Sequence, residues 1–146
     1  MPERETIQRA QEDAREGKSP STQAGEFVRE EIHHIREGKH GASSPQQAIA
    51  VGLSKARRAG VKLSPPKGPS SLRKKAAQDS AAAADSSHHK TSRKRSRVSS
   101  EVPKREPKSP AGLQAMSSQA KRSAAARGVR TRRNAALKAA RTRKTT

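Results

Sequence analysis

Residues 15–24 read REGKSPSTQA and residues 36–48 read REGKHGASSPQQA, so one set of words returns within the first third of the chain. Each copy follows a run of helix formers, RETIQRAQEDARE before Gly17 and EFVREEIHHIRE before Gly38. Glycine just past a helix supplies the left-handed backbone that closes it. Lys18 and Lys39 then fall near the negative end of the helix dipole. The Ser-Pro that follows has the opposite meaning. Ser19 and Ser44 suit an N-cap, and Pro20 and Pro45 suit the first turn, where no N–H is required. Gln47, three residues after Ser44, fits a capping box. The words are stop and start signals, bracketing helices at about 3–16, 20–37 and 45–59.

The second of these helices places Ala24, Val28, Ile32 and Ile35 on one face, with Phe27 beside them. The third has Ala48, Ile49, Leu53 and Ala56 in register, and its small residues Ala48, Gly52 and Ala56 permit close approach of another helix. Residues 20–60 therefore predict a helical hairpin with an apolar seam of Phe27, Val28, Ile32, Ile35, Ile49 and Leu53. The first helix offers only Ile7, Ala10 and Ala14 and is expected to be partly folded. Burying some eight small or medium side chains at about 1.5–3 kcal/mol each barely offsets the ordering of forty residues. Such a head is marginal alone and invites self-association.

Composition points the same way. The chain carries 33 Lys and Arg against 13 Asp and Glu, a formal charge of +20, and Phe27 is its sole aromatic. Low hydrophobicity with high net charge is the signature of disorder, so a mostly disordered chain with a small all-α head is expected. The charge is segregated. Residues 1–63 hold 11 basic and 9 acidic side chains, whereas residues 64–146 hold 22 and 4. The change falls at LSPPKGPSS, residues 63–71, which reads as a linker. The organisation expected is a helical head at 1–63, a disordered basic linker at 64–108, and a basic Ala-rich segment at 109–146, helical over about 110–143 when bound.

A cationic tail implies a polyanionic partner. Its candidate contacts are Arg73, Lys74 and Lys75, then Arg93, Lys94, Arg95 and Arg97, then Lys121, Arg122, Arg127, Arg130, Arg132, Arg133, Lys138, Arg141 and Arg143. Without aromatics to stack on bases, contact is expected with phosphates rather than base edges. Engagement of about eight to ten cations predicts a log–log salt slope near −7 to −9. Duplex DNA is the expected partner and a nucleoid-associated role the expected function. An RNA- or ribosome-associated role is the alternative, and a head that recruits protein while the tail localises it is the second.

Two resemblances accompany these readings. GKSPSTQAGEFVREEIHHIREGKHG followed by QAIAVGLSKARRAGVKL resembles a family of small basic bacterial proteins carrying a domain of unknown function, over residues 10–63 or so. That resemblance implies a bacterial, cytoplasmic protein and carries no catalytic residues. The tail, built from Ala, Ser, Lys, Arg and Pro with SPPK at 64–67, resembles the tails of linker histones and bacterial histone-like proteins.

Other classes are set aside at this level. The chain has no Cys, hence no disulfide and no Cys-ligated zinc. His33 with Glu37 and Glu30 with His34 have helical metal-pair spacing, yet no HExxH word accompanies them, so no metal or cofactor is expected. His88 and His89 read as solvated polar residues. A rigid pocket for nucleophilic catalysis is not expected, so the chain reads as a non-enzyme. A membrane-surface role would need large apolar residues opposite the cations, and the basic segments offer mostly Ala. The expected location is the cytoplasm, at the nucleoid.

Overall fold

The computed structural model describes residues 1–84 and 92–145. Among them are six α-helices: α1 (Arg4–Arg15), α2 (Pro20–Glu37), α3 (Pro45–Arg58), α4 (Ser70–Ala84), α5 (Arg93–Arg105) and α6 (Leu113–Thr145), with a short 3-10 turn at Ser109–Ala111 before α6.

The repeated words act on the backbone. Gly17 and Gly38 take φ of 70° and 84°. In each case the next amide reaches back into the helix, Lys18 N to Asp13 O at 2.9 Å and Lys39 N to His34 O at 3.0 Å. Ser19 Oγ accepts from Thr22 N at 3.4 Å, and Ser44 Oγ accepts from Gln47 N at 3.1 Å. The capping box differs by one residue from the sequence expectation. Gln47 Oε1 accepts from Ser43 N at 2.7 Å, so the side chain reaches past the cap residue. Lys18 bonds Asp13 and Glu16 at 2.7 and 2.6 Å instead of resting on the dipole alone.

Helix α2 packs most extensively on α3, α1 covers α2, and α4 lies on α3. The seam separates into two clusters at opposite ends of the hairpin. One joins Ala10, Ala24, Phe27 and Ala56, with Ile7, Leu53, Val61 and Leu63 against it. The other joins Ile35, Ala42, Ala48 and Ala111, with Ile32 against it. Between them the helices come close because Gly52 has no side chain: a Cβ there would lie 2.7 Å from Val28 Cα. Val28 and Ile49 are half-buried. Helix α1 is formed throughout and buries Thr6 and Ala10.

Helix makes up 78% of the described residues, which overturns the expectation of a mostly disordered chain. Composition misled because it weighs large apolar side chains, whereas these helices are ordered by other means. Helix α6 is rich in Ala, the strongest helix former. Helix α4 is held to α3 by one acid: Asp79, 2% exposed, accepts from Ser54 Oγ at 2.8 Å and Arg58 Nε at 2.9 Å, and from Lys75. The chain after α5 also returns to the head. Gly41 N donates to Pro103 O at 2.7 Å, Ala42 N to Pro107 O at 3.0 Å, and Arg36 Nε to Ala111 O at 2.8 Å. Gly41 is required there, since a Cβ would stand 1.8 Å from Glu106 O. The segment expected as a disordered basic linker thus contains, among its described residues, two helices and a docked return.

Candidate nucleic-acid interface

Helix α6 carries ten cations and no acid. It breaks at Gly128, whose φ of 71° and ψ of 161° are not helical, so it is two rods joined at one residue. From Ala125 to Arg141 every side chain is exposed. Beyond the break, Arg130, Arg133, Leu137, Arg141 and Lys144 follow 3-4-4-3 spacing, which aligns them on one face. At 1.5 Å per residue this stripe runs about 21 Å. Lys138 flanks it, whereas Arg132 and Arg143 fall on the opposite face. Arg127 and Arg132 bracket the break, donating through Nε to Ser123 O and Gly128 O at 3.3 and 3.4 Å. Lys121 and Arg122 are exposed on the first rod.

Helix α5 is the second basic element. Ser92 caps it, accepting from Arg95 N at 3.3 Å, and the residues from Arg93 to Val102 are all exposed. Arg93, Lys94, Arg95 and Arg97 therefore share its first turns. On α4 the group divides: Arg73 and Lys74 are exposed, but Lys75 is committed to Asp79. Burial raises the pKa of Asp79, yet hydrogen bonds from Lys75, Ser54 and Arg58 outweigh it and hold the carboxyl below its ordinary value. Lys75 is thus part of the α3–α4 joint.

The head consumes its charge internally. Arg9 pairs with Glu26 at 3.1 Å, Lys39 with Glu37 at 3.1 Å, and Lys55 with Glu30 and Glu31 at 3.4 and 2.6 Å. The unbalanced cations are therefore concentrated on α5 and α6. Sequence reasoning missed two residues that set this layout, Asp79 and Gly41. Asp79 left one signal, being the lone acid between residues 64 and 84.

Comparison with family models, curated proteins and solved structures finds no match. No helix among the described residues is long and apolar enough to cross a membrane.

Proposed function

We propose that the protein binds nucleic acid without sequence preference, as a histone-like, nucleoid-associated factor acting on duplex DNA through phosphate contacts. The observation that carries this reading is the second rod of α6, an exposed helix with a cationic stripe and no acid. Its length of about 21 Å matches roughly six base pairs at about 3.4 Å each along one strand. Short-stemmed Ala residues between the cations let the helix approach the backbone closely. Each phosphate neutralised releases counterions, which supplies affinity without reading bases. Helix α5 adds a second set of contacts from the same root at residues 103–112.

The test is a salt titration of the full chain on unrelated duplexes. Five contacts from the stripe and Lys138 give a log–log slope of about −4.5, rising towards −9 if α5 and the first rod join. Replacing Arg130, Arg132 and Arg133 with Ala should lower the slope by about 1.8, from the two stripe cations Arg130 and Arg133, and weaken all duplexes alike. Loss confined to one sequence would refute phosphate-dominated binding. Tighter binding to structured RNA at matched salt would replace DNA as the partner.

A further inference from the structure

The fold brings together three groups that are not a helical pair in sequence. Glu31 and His34 lie on α2, and His40 returns from the loop after it; their ligand atoms all lie within 4.8 Å of one another. Glu31 is 2% exposed. The two imidazoles are oriented from outside the cluster. His34 Nε2 sits 2.9 Å from Glu3 Oε1. The carboxylate accepts, so Nε2 carries the proton and Nδ1 presents a lone pair inward, 4.0 Å from Glu30 Oε1. His40 Nδ1 lies 3.2 Å from Gly41 O, and a neutral ring that donates there presents a lone pair at Nε2. That nitrogen faces Glu31 Oε1 at 3.3 Å. A metal ion or a second proton on the ring satisfies both acceptors at once. Outer nitrogens held by a carboxylate and a carbonyl, with inner nitrogens converging, are the arrangement that supports metal-bound histidines.

We infer that Glu31, His34 and His40 form a binding site for a divalent transition-metal ion of the zinc class. Two imidazoles and one carboxylate are a known zinc donor set, and Glu30 is a fourth oxygen at hand. Zinc bonds of about 2.0–2.2 Å require the donors to draw in from their present separations, which His40 can do because it sits on a loop. The cation now serving the cluster is the Lys55 ammonium, 2.6 Å from Glu31 Oε2. Lys55 is 22% exposed at its side chain and can turn to solvent as the ion enters. The ion would pin the loop that carries Gly41, on which residues 103–107 dock. The site is structural, and it stands independently of any nucleic-acid role.

Zinc chloride is titrated into the metal-stripped full chain, with uptake read by calorimetry, thermal stability by circular dichroism, and geometry by the visible spectrum of the cobalt form. One equivalent of zinc should bind and raise Tm, with magnesium inert. His34→Gln and His40→Gln should each weaken zinc by at least about tenfold, and Glu3→Gln by about tenfold through loss of orientation. Lys55→Met should tighten it by removing the competing cation. His33→Gln, on an exposed histidine bonded to Glu37 at 2.9 Å, should change nothing. His88 and His89 lie outside the described residues, and the double variant His88→Gln/His89→Gln should also leave uptake intact. Absence of one-equivalent uptake by the unmodified chain overturns the inference and leaves a protonated His40 as the bridging cation. Loss of uptake in the His88/His89 variant overturns it as well, by placing the metal elsewhere.

Discussion

Replacing Gly52 with Ala tests the packing of the hairpin because two physical effects oppose each other there. In an exposed helix the change stabilises by about 0.8–1.0 kcal/mol through propensity. At Gly52 the new methyl would sit 2.7 Å from Val28 Cα, 2.9 Å from Val28 Cγ2 and 3.0 Å from Val28 N. Two of these are backbone atoms, so no rotamer relieves them. Helices α2 and α3 must separate by roughly 0.7 Å to reach ordinary contact, and forced expansion of a packed interface costs about 1–3 kcal/mol. Because the two apolar clusters lie on either side of this crossing, separation loosens both. The net expectation is a loss of up to about 2 kcal/mol, which at roughly 2–4 °C per kcal/mol for a chain near 150 residues lowers Tm by up to about 8 °C. Gly25 is the internal control: it lies in α2 with nothing within 4 Å of an added Cβ. Gly25→Ala should raise stability by about 0.5–1 kcal/mol. Thermal and urea unfolding followed at 222 nm separates the two. If Gly52→Ala raises Tm as Gly25→Ala does, the close crossing at Val28 is wrong.

Asp79→Ala removes the acceptor of three donors and should undock α4 at a cost of about 1–3 kcal/mol, read as faster amide exchange in α4 with α2 unaffected. The folded pKa of Asp79 lies below its ordinary 3.8, so its contribution is fully present above that value and is lost as pH falls through the lower folded value. Acid should therefore release α4 below about pH 4, and Asp79→Asn should abolish that pH dependence; α4 protection that ignores pH in the unmodified chain would contradict this. Gly41→Ala places a Cβ 1.8 Å from Glu106 O and should expose the amides of residues 41 and 42 while the α2–α3 core stays protected. Unchanged exchange at those two amides would show that residues 103–107 do not rest there. Ser44→Ala should cost about 1 kcal/mol through loss of the α3 cap, measured by urea unfolding.

The head was legible because its signals are local. Gly38, Ser19-Pro20 and Ser44-Pro45 each act within a turn of themselves, so helix ends follow from the residue types. The small stripe at Ala48, Gly52 and Ala56 likewise announced a close crossing. What sequence did not show are contacts between residues far apart in the chain. The bond from Arg36 to Ala111 O joins residues 75 apart, and no pattern in either segment signals it. Disorder was expected after residue 63 because an average over composition cannot see that one buried carboxylate, Asp79, gathers three donors. The closeness of His40 to Glu31 and His34 was not legible for the same reason, since the three meet only through the turn at Gly38. The cations themselves were visible in sequence; that Lys75 is occupied was not.

The docked return at residues 103–112 gives α5 and α6 a common root on the head. Under the proposed function, a polyanion gripped by one basic arm would thereby be held within reach of the other, so the second contact would become intramolecular and its strength would be set by local concentration rather than by protein in solution. Two arms of modest individual grip would then act as one tight binder. Loosening the root at Gly41 would return them to separate weak binders without removing a single cation.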